Sequence, residues 1–148
     1  MDVMTRASSG DGRSRRDRRA FRASTSSARA IRGFVRDTLR HAQAPAQVID
    51  DLELVASELA ANAIEHGTGT ELTIEVDGSQ RRWWELVVIS SLDVSRDAGR
   101  MRATRTWEIA GAEASSGRGL GIVRRLMDDV SVERDHDRLV VRCRLRRS

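Results

Sequence analysis

The chain has 148 residues, 39% hydrophobic and 32% charged, with a formal net charge of +4, a length that suits one domain around one core. All 26 basic residues are arginine, which excludes a lysine-dependent phosphate loop and lysine Schiff-base chemistry. No apolar run approaches the ~20 residues of a membrane span and the start lacks a secretory apolar stretch, so the chain reads as cytoplasmic with no membrane partner.

Residues 1–22 hold seven arginines against three aspartates, and the remainder balances at nineteen of each sign. The positive excess therefore belongs to this segment, whose Arg, Ser, Gly and Asp content predicts a disordered basic tail, with the folded domain spanning 23–148. The folded part is neutral and only 3% of the chain is aromatic, which argues against a specific nucleic-acid partner.

Ser24 to Ser27 offer N-cap oxygens, and Ala28, Ile31, Phe34, Val35, Thr38 and Leu39 then recur at helical spacing up to the Pro45 region. A second amphipathic helix runs from about Ala46 to His66, carried by Val48, Leu52, Val55, Leu59 and Ala63, and ended by Gly67 and Gly69. Leu72, Ile74 and Val76 alternate with polar residues as a half-buried strand, and Trp83 to Ile89 is its hairpin partner. From Ser90 to Ser116 there is no period, and a connection of that length is usually functional or mobile. Leu120, Val123, Leu126 and Met127 mark a helix starting at a glycine cluster, followed by a short strand at 130–134 and a last strand bearing Leu139, Val141, Cys143 and Leu145. The order predicts an α+β two-layer sandwich. Cys143 reads as a core residue, and His41, His66 and His136 lack metal-ligand spacing.

Two segments carry candidate chemistry. Glu58 and Asn62 lie one turn apart at the edge of the apolar stripe of the second helix, a carboxylate beside a carboxamide that suits a general base next to a magnesium ligand. Gly117-Arg118-Gly119-Leu120-Gly121 precedes the third helix, where glycines permit close backbone approach and helix-start N–H groups attract phosphate. Each alone is weak, since a boundary polar pair and a glycine junction are common.

In this order they are more specific. The run Ser57-Glu58-Leu59-Ala60-Ala61-Asn62-Ala63-Ile64-Glu65-His66-Gly67 resembles the N-box of the GHKL superfamily, and Gly117 to Val123 resembles its G2 box. Their separation, with a hairpin and long loop between, and the two trailing strands are similar to the small bacterial anti-sigma-factor serine/threonine kinases. The resemblance implies a Bergerat-type α/β sandwich, mostly antiparallel with helices on one face, binding ATP and Mg²⁺. It implies Glu58 as general base, Asn62 as the Mg²⁺ ligand, and Gly117, Arg118, Gly119, Leu120 and Gly121 around the phosphates. It also implies a sigma factor as one partner and phosphorylation of a serine on a STAS-type anti-anti-sigma protein as the reaction. Family members often work as homodimers, and no feature of the sequence decides this. Where the family has an aspartate at the end of the second strand, this chain has Ser90-Ser91-Leu92-Asp93, so that Ser90 or Ser91, depending on register, or Asp93 takes the adenine position. The alternative is a noncatalytic partner-switching module with a degenerate adenine pocket.

Overall fold

The computed structural model describes residues 16–66, 69–91 and 117–148. Five strands form one sheet in the order β1-β2-β3-β5-β4, all neighbours antiparallel: β1 Arg16–Arg22, β2 Glu71–Asp77, β3 Trp83–Ser91, β4 Asp129–Asp135 and β5 Arg138–Arg146. Three helices pack as one layer, α1 Ala28–His41, α2 Ala46–His66 and α3 Gly117–Leu126, with α2 in contact with both neighbours. This is the two-layer α+β sandwich that the periodicities predict. No helix among the described residues is long and apolar enough to cross a membrane.

The expected disorder of 1–22 is corrected at its end, because Arg16–Arg22 is an edge strand paired with β2 from Arg16↔Asp77 to Arg22↔Glu71. Composition misled because an edge strand borrows its burial from the sheet. One apolar side chain suffices here: Phe21 is 4% exposed and tilts against Phe34 at 5.8 Å between ring centroids, while Arg19 lies 5.0 Å over the Phe34 ring. The first fifteen residues of the expected tail lie outside the described residues.

Serine capping falls one step earlier than a simple α1 start. Ser24 accepts a hydrogen bond from the Ser26 N–H over a 3₁₀ turn at Thr25–Ser27, which leads directly into α1. At the other end Gln43 takes a left-handed φ of 58°, and the Ala44 and Gln43 N–H groups return to Leu39 and Arg40 carbonyls, a Schellman closure that turns the chain into α2.

The pleat separates two sheet faces. Leu72, Ile74, Val76, Trp84, Leu86, Val88, Val141 and Cys143 point to the helices and join Ile31, Val35, Leu52, Val55, Leu59 and Val123 in the core. Trp83, one residue from the buried Trp84, is half-exposed on the opposite face, as strand alternation requires. The helix-free face places like charges side by side, Asp77 opposite Glu85 in the β2–β3 register. Arginines on both flanks neutralise them. Glu85, 1% exposed, accepts from Arg144 at 2.7 Å, Arg16 at 3.1 Å and Gln80 at 3.2 Å. Removing Arg144 would take away the shortest of these bonds and leave Glu85 to Arg16, Arg142 and Gln80, a loss of about 1.5–3 kcal/mol for one charge-assisted hydrogen bond.

Asp77 closes the β2–β3 turn by accepting from the Ser79 N–H, the Ser79 hydroxyl and the Gln80 amide. Burial alone would raise its pKa, but these hydrogen bonds and the Arg16 charge together hold it below the ordinary 3.8. A carboxyl depressed in the folded state contributes stability that is complete above its unfolded pKa and is lost as the pH falls through the folded value. Asp77→Asn is therefore expected to lower stability by about 1–2 kcal/mol near neutral pH. In thermal melts the gap from the parent should hold down to the ordinary 3.8 and close below it.

Candidate functional site

Helix α2 has three working sides. Leu52, Val55, Ala56, Leu59 and Ala60 bury against the sheet and neighbouring helices. Glu53 reaches across to Arg36 of α1 at 2.6 Å, which marks the α1 flank. Asn62 follows nine residues later, and at 100° per residue that is about half a turn away, on the flank where α3 packs. Glu58, half-buried, lies about 40° from Asn62 on the same flank and makes no hydrogen bond or ion pair among the described residues. The Asn62 Nδ2 atom is buried and has no hydrogen-bond partner among the described residues. A buried unpaired donor costs about 1–3 kcal/mol, so it marks a place where a polar ligand group would be favoured.

The expected glycine bend before α3 is instead the first turn of the helix itself, which starts at Gly117. Burial of Leu120 and Val123 in the core draws the helix start back over the glycines. Each glycine in a helix costs about 1 kcal/mol relative to alanine, and a Cβ at Gly121 would meet nothing within 4 Å. Among the described residues, neighbouring atoms therefore do not demand the glycine there. Its absent side chain leaves open space beside a helix N-terminus whose first N–H groups have no intrahelical acceptor.

Topology brings these parts to one end of the sandwich. The C-terminus of α3 is tied down at the Trp83 end of the sheet, where the Asp128 N–H donates to the Arg144 carbonyl at 3.0 Å and Asp128 Oδ2 accepts from the Arg146 N–H at 2.7 Å. The helix runs back about 15 Å from there. Gly117 to Gly121 thus sit toward the far end of β3, where Ser90 pairs with Leu72. The C-terminus of α2 reaches the same end, because the chain passes through Gly69 directly into β2. A Cβ at Gly69 would lie 2.6 Å from the Ser91 Cβ, so this glycine sets how closely the end of α2 approaches the end of β3. Its part in the site was not legible from sequence, where it read only as a helix stop.

The open register of β3 is now decided. Ser90, 8% exposed, shares the helix-facing side with Trp84, Leu86 and Val88, while Ser91 is exposed on the opposite side. Asp93 lies outside the described residues, as does the whole of 92–116, and of Arg118 only the backbone in α3 is described. Leu120, 4% exposed, is a core residue as well as a member of the glycine segment. His66 ends α2, exposed, 3.8 Å from Glu65. Cys143 is fully buried, and burial together with the nearby Asp129 pushes its thiol up to about 12, so it is not a thiolate nucleophile at neutral pH.

Residues 21–145 match the family model described as a histidine kinase-like ATPase domain. Among solved structures, a chain of the SiaB–SiaC complex from Pseudomonas aeruginosa superposes with a TM-score of 0.57 at 16% identity, covering 90% of this chain and 91% of that one. No curated protein matches the chain. At that identity the structural likeness speaks for the fold.

The Gly69 contact makes a direct prediction. Gly69→Ala must push the first carbon of Ser91 aside, so urea unfolding is expected to show a loss of about 1–3 kcal/mol. A parent-like midpoint would contradict the close approach of the two ends.

Proposed function

The chain belongs to the histidine kinase-like ATPase domain family, and on that premise we propose that it binds Mg·ATP and transfers phosphate to a serine on a STAS-type partner while also engaging a sigma factor. The observation that supports the reading is the position of two separate segments. Asn62, whose buried amide has no partner among the described residues, lies on the α3 flank of α2, and the glycine-rich start of α3 and Ser90 lie toward the same end of the sheet.

The residues suit the groups they would hold. A phosphate oxygen satisfies the Asn62 Nδ2 donor, and a half-turn of the amide presents Oδ1 to a cation instead. The free N–H groups at the start of α3 bind phosphate oxygens without a lysine, with Arg118 adding charge. Ser90, buried on the helix side, offers a hydroxyl to the adenine in place of the family's aspartate. Asp93, which lies outside the described residues, is the second candidate for the acceptor of the adenine amino group. Bound Mg·ATP supplies the transferable phosphoryl group and the cation that neutralises its charge. Glu58 accepts the proton of the incoming seryl hydroxyl, its half-buried carboxylate lying on the same flank of α2 as Asn62. The elements that carry this site run from β1 to β5 among the described residues.

Replacement of the charged adenine acceptor by Ser90 favours one competing reading, a noncatalytic partner-switching module. Titration calorimetry and a transfer assay separate them. Asn62→Ala should weaken Mg·ATP binding at least about tenfold, whereas Glu58→Ala should keep binding and lower phosphate transfer about 10²–10⁴-fold. Undiminished transfer by Glu58→Ala would remove the base assignment. Absence of any Mg·ATP binding by the parent chain would leave the noncatalytic module.

A further inference from the structure

The β2–β3 turn and the end of β5 enclose a concavity of about 400 Å³ lined by Arg81, Arg82, Trp83, Arg146 and Arg147. It sits at the end of the sheet opposite Ser90. The seven residue steps of β3 from Trp83 to Ser90 span ~24 Å at the strand rise. None of the family-like segments contributes to it.

Its walls are fixed by backbone bonds. The Arg147 N–H donates to the Arg82 carbonyl at 2.8 Å, and Arg147 Nη1 donates to the Gly78 and Gln80 carbonyls at 3.1 and 2.6 Å. The same guanidinium lies 3.8 Å from the Trp84 ring, and Arg146 stands 5.5 Å over Trp83, its partner across the β3–β5 register. These contacts hold the Arg146 and Arg147 side chains in place and go to neutral groups. On the adjoining face Arg16, Arg142 and Arg144 turn to Glu85. Around the concavity, by contrast, none of the four arginines is in an ion pair among the described residues.

Four guanidinium groups about one small volume create a local field that a single carboxylate cannot neutralise. An oligophosphate concentrates several charges in that span and presents oxygen faces that match the planar Arg forks. We propose that this cleft binds an oligophosphate anion, at a site separate from the one formed by Asn62, Ser90 and the start of α3. Arg81, Arg82 and Arg146 grip the ligand, and Arg147, stacked on Trp84 and bonded to the turn, holds the cleft open.

The test uses the full chain and tripolyphosphate without Mg²⁺, followed by calorimetry and tryptophan fluorescence. Saturable binding is expected, weakening as salt rises. Arg81→Gln/Arg82→Gln, both exposed and outside the core, should raise Kd at least about tenfold, and Arg146→Gln should repeat the loss in an independent variant. Arg32→Gln, at an exposed arginine of α1 that belongs to neither site, should leave Kd within about twofold. The proposal is overturned by absence of saturable binding, by parent-like Kd in both arginine variants, or by an equal loss in Arg32→Gln. An oligothymidylate or oligoglutamate that takes the same arginines more tightly than tripolyphosphate likewise overturns the assignment to a small oligophosphate.

Discussion

Everything in this domain is arranged around the helix that lies between two others on one sheet face. Burial of the apolar face of α2 sets the rotation of the helix about its axis, and Glu53 pairs with Arg36 on one flank. Once that rotation is set, half a turn of geometry carries Asn62 and Glu58 to the opposite flank, and the apolar residues Leu52, Val55 and Leu59 are left to face the sheet. A helix rotated by one residue would bury the polar pair or expose the core.

The sheet supplies the second constraint, which is position along the strands. Asp128 anchors α3 to the Arg144 and Arg146 backbone at one end, and Gly69 draws the end of α2 against Ser91 at the other. The two ends thereby acquire different characters. One gathers an unpaired amide, a half-buried carboxylate, a buried serine and a helix start made of glycines. The other gathers arginines around two tryptophans. The central acidic residues of the helix-free face, Glu75, Asp77 and Glu85, lie between them and are neutralised by Arg16, Arg18 and Arg144.

Much of this architecture was legible in the sequence because its elements are strongly periodic. The apolar spacing of 28–39 and 48–63 is helical, and the alternation through Leu72, Ile74 and Val76 and through Leu139 to Leu145 is that of strands with one buried face. Two features escaped for different reasons. β1 is an edge strand whose pairing energy comes from β2, so the composition of Arg16–Arg22 carries almost no signal. The glycines of 117–121 read as a bend because their propensity is low, but Leu120 and Val123 pack well enough to make the first turn helical. The run from Trp83 to Ile89 is apolar at nearly every position, which hid its register until pairing with β2 and β5 placed Ser90 on the helix side. Asn62 and Glu58 were legible as a pair from their spacing, whereas the unpartnered amide became visible only with packing.

The account stands or falls on where one equivalent of Mg·ATP touches the chain. Backbone amide shifts followed by nuclear magnetic resonance on the isotopically labelled full chain answer this directly. The largest changes are expected at Asn62, at Ser90 and in the Gly117–Gly121 turn, the three segments that meet at one end of the sandwich. Changes confined to Arg81–Trp83 and Arg146–Arg147, or none at all, would contradict it.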